Sequence, residues 1–538
     1  AGTYWYGMHV VDNAGNVGYE PVAKKVVVSG DSTADHNWYF SMSGGGSVCS
    51  QASPCKWLSS NQVGYVAGQT TAQNKIDSVD SSKTVNLYFK RGDTWSVNTV
   101  AVNKTVCHGF LVGATNPIVN IDAYGSGAKP IFDGLVSNFS VAPASNSTTG
   151  PLFYNRFFEF KRNNCSISNI EIKRVYGHAI FLSNGNYFTL DLSYIHHFGA
   201  GGISISSLTG GNNITVTKNV FNTGQELYRY GLRSGWEAAI QLTAENYLVE
   251  DNIIRYNIVY DIYGEGIQCP NSLCEYNIVG DTGSIALNTS NHGWDAKTSI
   301  VRYNFVTMSD WGSSIYDSFS GSSHIGIRAF DEHPGGDNSN ADIQIYGNVV
   351  VNRKYGIQLG SPIDPGNPYG SVKVYNNTMI DCEANWCFSQ PEEFSNVYIY
   401  NNSSIHYDRT GGHAINWDIV EGYSGWTFDY NHFYPVDGSN SVLAIFNSNQ
   451  ITTDPKLSGE PTIDWDGQSG PTYYKDIKFS DVYPLAGSAL IGAGKTLGTD
   501  FSKIFLTKGT DFSTLPDAIN FTLSSQTDGS WDIGATEY

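Results

Sequence analysis

From about residue 120 to 435, apolar and polar residues alternate in short runs that turns interrupt every few positions. This is the period-2 pattern of strands, and it excludes long helices. One unit recurs. A β-branched run leads to an Asn, two apolar residues and a turn, and a small residue followed by Ile opens a second short strand. First halves include ISNIEIKRV (167–175), FTLDLSYIHH (188–197), IIRYNIVYDI (253–262), IVRYNFVTMS (300–309) and VYIYNNSSIH (397–406). Second halves include GHAIFL (177–182), GGISI (201–205), EAAIQL (237–242), GEGIQC (264–269) and GHAINW (412–417).

The recurring Asn sets the period. Asn252, Asn277, Asn304, Asn348, Asn377, Asn402 and Asn431 mostly stand about 25 to 29 residues apart, and the longer step from Asn304 to Asn348 marks a coil with an insertion. Repeats of that length with two or three strands each predict an all-β solenoid, a right-handed parallel β-helix of roughly a dozen coils. Coils stacked about 4.8 Å apart bring equivalent side chains into axial ladders. Asn suits one, because it tolerates left-handed turn geometry and its amide bonds to the same amide one coil on.

Composition narrows the partners. The chain has 538 residues and a net charge of −19, which argues against nucleic acid or an anionic membrane surface. It also makes a strongly acidic polysaccharide a less natural ligand unless cations bridge the two. Charged residues are 15 % and aromatics 13 %, the balance of a folded, extracellular β-rich chain rather than a disordered one. No apolar run reaches the roughly 18 to 20 residues of a membrane span. The chain opens at Ala1 with no Met and no apolar leader, which reads as a processed or trimmed start.

Eight cysteines fit an oxidising compartment. Three pairs lie close in sequence, Cys49 with Cys55, Cys269 with Cys274 and Cys382 with Cys387, and Cys107 and Cys165 remain. Local disulfides are the economical pairing, although the sequence does not fix connectivity. None of the close pairs has zinc-knuckle spacing, and no metal site is expected. Sequons such as those at Asn103, Asn138, Asn146, Asn213, Asn288, Asn376 and Asn520 permit glycosylation.

Four segments follow. Residues 1–30 read as a β-hairpin around DNAGN, 31–135 as an entry cap with the first coils, 136–435 as the β-helix and 436–538 as a closing segment. The hairpin resembles the last two strands of a bacterial immunoglobulin-like domain. A lone hairpin is marginal in water, so residues 1–29 must pair elsewhere, self-association included. NWYFSMSGGGSVCSQASPCKWLSS, VNLYFKRGDTW (85–95), YPLAGSALIGAG (483–494) and DIGATEY (532–538) resemble the two ends of secreted proteins of the pectate-lyase-like β-helix superfamily. That resemblance implies a groove along one parallel sheet, walled by loops. It does not select an activity, because the superfamily spans lyases, glycosidases, epimerases, tailspikes and adhesins.

Two long interruptions are candidate walls. TGQELYRYGLRSGW (223–236) offers Tyr228, Arg233 and Trp236, suited to stacking on sugars and to bonding hydroxyls or carboxylates. The stretch 317–342 offers Arg328, Asp331, Glu332 and His333. Aligning the small-residue–Ile element puts His178, Glu237 and Glu265 at or beside one column, with two coils between His178 and Glu237 counted by Gly201. Carboxylates about 5 Å apart suit a retaining glycosidase, and about 6.5 to 9.5 Å an inverting one. The pairs Glu237 with Glu265, and Asp331 with Glu332, are therefore the catalytic candidates, with His178, Tyr228, Arg233, Trp236, Arg328 and His333 binding substrate. His196 and His197 are adjacent on a strand and should face opposite sides, so at most one serves.

The polygalacturonase pattern of an Asp-Asp pair and Gly-His-Gly does not occur. A uronate lyase would need a Lys or Arg base, with Ca²⁺ or Arg neutralising the carboxylate; beyond that role for Ca²⁺ no cofactor is expected. Between residues 175 and 350 only Lys218 and Lys297 are lysines, so arginines would carry that chemistry. The sequence thus favours a secreted polysaccharide-active protein, a glycoside hydrolase before a lyase. The alternative is a non-catalytic adhesin or filament subunit at the cell surface, assembled through its hairpin.

Overall fold

The computed structural model describes residues 2–6, 9–11, 17–19, 24–28, 36–46, 48–56, 72–97, 99, 107–140, 155–206, 211–232, 237–242, 249–290, 297–308, 324–329, 342–360, 370–388, 394–406, 413–416, 425–434, 449–458, 483–497, 504–506, 523–525 and 531–535.

The alternating pattern winds as expected into a right-handed parallel β-helix. Three long parallel sheets hold 12, 11 and 13 strands. The first runs from Thr94–Ser96 to His432–Tyr434, the second from Cys107–Val112 to His413–Asn416, and the third from His36–Phe40 to Trp426–Asp429. Each coil visits the third, first and second sheet in turn. One coil, for instance, comprises Asn252–Arg255, Ile258–Ile262 and Glu265–Gln268. Its inward residues Ile254, Val259 and Ile267 are fully buried in one continuous core. Each such side chain contributes about 1.5–3 kcal/mol of burial. At the N-terminal end the core turns aromatic, with Phe40 stacked on Phe89 at 5.2 Å and Phe110 on Phe158 at 5.4 Å.

The corner from the third to the first sheet explains the Asn repeat. A residue with positive φ (Tyr256, Tyr276, Tyr303, Gly347, Asn376, Asn401 or Tyr430) turns the chain, and the next residue is Asn. Asn219, Asn257, Asn277, Asn304, Asn348, Asn377, Asn402 and Asn431 form the ladder. From Asn219 to Asn402, each Nδ2 donates to the Oδ1 one coil on at 2.9 to 3.0 Å. Asn252 belongs elsewhere: its Oδ1 accepts the amide of Ile214. The ladder instead passes through Asn257, five residues later, and reaches back to Asn219 across a step of 38 residues.

At the ends, Gly2–Tyr6 pairs antiparallel with Lys24–Val28, and His9–Val11 with Val17–Tyr19. Among the described residues these strands pair with each other and with no strand of the three long sheets. His36–Phe40 pairs with Thr84–Lys90, and the helix Ala72–Asp77 lies in the segment that connects the two strands. The closing segment folds back along the outside. Tyr483, Leu497, Trp531 and Ala535 cluster with Val349, Val351, Ile380 and Ile405 of the first sheet's outward face. Ala535 donates its amide to Thr378 Oγ1 at 2.9 Å, and Gly534 to the carbonyl of Asn401 at 2.8 Å.

The cysteine expectation holds for one pair. Cys49 and Cys55 form a disulfide, whereas Cys165, Cys269, Cys274, Cys382 and Cys387 are buried thiols. Cys107 has its side chain outside the description. Cys382 lies in the core, but Cys387 alternates with the core residues Trp386 and Phe388 and so faces outward, which keeps the two apart. Burial raises the Cys274 thiol well above its usual range, and its hydrogen bond with Cys269 adds to this. Thiols held protonated in this way are structural. Two sequon residues, Asn288 and Asn376, are buried and closed to glycosylation in the folded chain.

Candidate functional site

On the second sheet the residues that alternate with the core project outward. In register along the axis stand Glu159, Phe181, Ser204, Gln241, Gln268, Asn288, Arg328, Gln358 and Cys387. Beside this row run Arg156, His178, Ala238 and Glu265. The row faces away from the core yet is largely shielded: His178 is 3 % exposed, Glu237 7 % and Glu265 2 %. Polar groups placed so need partners.

The structure brings His178, Glu237 and Glu265 to this face. His178 Nδ1 lies 3.0 Å from Ser204 Oγ, and its Nε2 lies 3.9 Å from Glu237 Oε1. Gly201, on the coil between, makes that reach possible. A methyl group there would sit 2.1 Å from Ser204 Oγ and 2.9 Å from His178 Nδ1. Glu237 and Glu265 occupy successive coils but differ by one position, since Glu265 is in register with Ala238. Glu265 Oε2 accepts amides from Gln268 at 2.9 Å and Asn288 at 3.0 Å. Among the described residues no three His, Cys, Asp or Glu side chains are grouped to hold a metal ion.

Tyr228 anchors the first interruption. Its hydroxyl accepts the Glu237 amide at 3.0 Å, and the side-chain amide of Gln225 bonds the Glu237 carbonyl. Arg328 lies on Ile325–Ala329, several coils along the row from His178. Arg233, Trp236, Asp331, Glu332 and His333 lie outside the described residues.

Several polar residues escaped the sequence reading. RFFEF (156–160) is one coil before GHAIFL, and aligning the two would have found Arg156 and Glu159. Arg156 Nη1 pairs with Glu159 Oε1 at 2.7 Å, and its guanidinium lies 3.8 Å over Phe181. Burial raises the Glu159 carboxyl, but Ser183, Arg156 and Lys161 outweigh it and hold the group below its usual value. Glu226, one turn before Arg229, is pushed up to about 7, chiefly by burial, with Arg229 opposing and Asp261 adding. Ser204, Gln268 and Asn288 carry no motif and emerge only from register.

His196 and His197 depart from the expected alternation. His197 has φ 52°, a left-handed turn that brings its ring back beside that of His196. Both rings meet on the first sheet, away from the row just described.

No protein-family model matches the chain, and no curated protein sequence matches it. Among solved structures, a pectate lyase is similar at 13 % identity and a TM-score of 0.50, covering 94 % of this chain and 97 % of that one. A rhamnogalacturonan lyase gives 11 %, 0.44, 84 % and 97 %. A lacto-N-biosidase from Eubacterium ramulus gives 14 %, 0.35, 69 % and 68 %. The likeness to the pectate lyase shows the fold, a parallel β-helix. The expected preference for a glycoside hydrolase is corrected here: the solved structure that is similar over nearly the whole chain is a pectate lyase, not a hydrolase. The geometry gives a physical reason as well. Glu237 faces an imidazole 3.9 Å away, an arrangement that offers a base beside a carboxylate.

Proposed function

We propose that the chain is an extracellular protein that binds a polysaccharide along the outer face of the second sheet and cleaves it by β-elimination. The observation that carries this reading is His178, held between Ser204 and Glu237, with Arg156 in register one coil before it. Elimination beside a uronate needs a neutralised carboxylate and a base for the proton on the adjacent carbon. Arg156 supplies the positive charge when the uronate carboxylate competes with Glu159 for it. His178 takes the proton on C5, the C4–O bond breaks as the C4–C5 double bond forms, and the imidazolium then gives its proton to the departing oxygen, which regenerates the base. Glu237 stabilises the imidazolium between these steps. The likeness to a pectate lyase supports the fold on which this chemistry is drawn.

The test is incubation with polygalacturonate and with alginate, following the ultraviolet absorbance of the unsaturated product. His178→Ala and Arg156→Ala should each lower the rate by roughly 100-fold or more. New reducing ends without that absorbance, or full activity in His178→Ala, would contradict the reading.

The hairpin favours a second reading, a self-assembling surface protein. Its strands stay out of the long sheets, and strand edges of that kind recruit strands from other copies. Light scattering on the chain with and without residues 1–29 decides it: equal masses abandon assembly through the hairpin.

A further inference from the structure

The outer face of the first sheet carries a separate constellation. Glu171, Lys173 and Arg174 come from one coil and Tyr194, His196 and His197 from the next, with Lys173 in register with His196. His196 Nε2 lies 3.2 Å from Glu171 Oε1, and His196 Nδ1 lies 2.7 Å from His197 Nδ1. The His196 ring stacks on Tyr194 with centroids 4.2 Å apart. Tyr194 donates to Asn222 Oδ1 at 3.2 Å, and Asn222 donates to the Tyr260 hydroxyl at 2.9 Å. The rings are therefore fixed in place.

These contacts determine where the protons sit. Glu171 accepts a hydrogen bond, so His196 carries its proton on Nε2 and offers a lone pair at Nδ1. The short contact between the rings then places a proton on Nδ1 of His197. That leaves Nε2 of His197 as an unprotonated base at the far end, with no hydrogen bond to a described residue. Two cations stand near it, each also paired with a carboxylate. Lys173 lies 3.5 Å from Glu171, and Arg174 pairs with Asp133. His197 is pushed down to about 4, first by burial and then by His196, Arg174 and Lys173. The relay has a carboxylate at one end and two cations near the other.

We propose that this relay binds an organic carboxylate together with one proton, the ligand pairing with Nε2 of His197 as Glu171 pairs with His196. Proton and charge balance: the ligand arrives as an anion, His197 gains the proton from solvent, and the imidazolium lies between two carboxylates. Lys173 and Arg174 draw the anion in. Naming the acid a uronic acid rests on the polysaccharide reading above; the relay itself does not.

Nitrogen-15 NMR of the histidine-labelled full chain reads this directly, with galacturonate as probe and galactose as neutral control. At pH 7 the His197 Nε2 signal should be that of an unprotonated nitrogen. Galacturonate should raise the His197 pKa from about 4 to above 7, a shift of roughly 3 units or more, and so convert it to the protonated form. Lys173→Ala should weaken the effect at least about fivefold, and His178→Ala should leave it unchanged. An unmoved His197 signal, or the same response to galactose, overturns the proposal. Because the readout is His197 and not product, lyase activity without this shift would defeat the relay alone, and the shift without lyase activity would defeat the eliminative reading alone.

Discussion

Two buried polar rows run along this molecule, the Asn ladder at the corner of the third and first sheets and the outward row of the second sheet. In the ladder every coil presents the same side chain, and each amide is satisfied by its neighbours. In the outward row the side chain changes along the axis, with Gln at three of the nine positions: Glu159, Phe181, Ser204, Gln241, Gln268, Asn288, Arg328, Gln358 and Cys387. A repeated polar residue closes on itself and stabilises the fold. A changing row cannot close by repetition, and its local pairs, such as His178 with Ser204 and Glu265 with Asn288, are particular to their coils. Repetition therefore marks architecture, and its loss on a shielded face marks the place to look for chemistry.

The largest effect should come from breaking the ladder. Asn304→Ala removes the acceptor of the Asn277 amides and the donors to the carbonyls of Cys274 and Arg302. Several buried groups lose partners at once, so stability should fall by about 3 kcal/mol or more in denaturant unfolding. The outward row should respond in the opposite sense. Gly201→Ala pushes a methyl group against Ser204 and His178. Substrate turnover should drop roughly tenfold or more while unfolding shifts by less than the ladder variant does.

A third variant separates the wall of the site from both rows. Glu226 is held at about 7 by burial, above its ordinary 4.5. Between those values the folded chain binds more protons than the unfolded one. Its contribution is therefore fully present below about 4.5 and is lost as pH rises through 7. Glu226→Gln should flatten that decline, and at pH 8 it should gain on the order of 2 kcal/mol relative to the parent. The smallest effect is expected from the half-buried amide ladder of the third sheet, where Asn120 donates to Asn86 and Asn86 to Asn37. Water replaces those bonds, so Asn120→Ala should cost less than about 1 kcal/mol. A loss there as large as at Asn304 would remove solvent exposure as the distinction.

Periodicity made the coils legible, because each strand's alternation must place one face in the core. It also located His178, Glu237 and Glu265, since the small-residue–Ile element keeps its register. What the pattern hid follows from the same physics. Asn252 mimicked the ladder because a five-residue shift within a coil preserves the look of a strand. His197 seemed to face away from His196 because alternation assumes extended backbone, which its positive φ breaks. The Cys382–Cys387 spacing suited a staple, but the intervening strand sends the two thiols to opposite faces. The hydrolase preference came from two carboxylates on neighbouring coils, and only coordinates reveal that their partners differ.

The most direct test of the central claim is a crystal structure of His178→Ala soaked with a uronate oligosaccharide. The account predicts sugar density along the outer face of the second sheet, with a carboxylate against Arg156 and C5 facing the position of the missing imidazole. Density confined to the third sheet or the hairpin, with that face bare at saturating ligand, would contradict it.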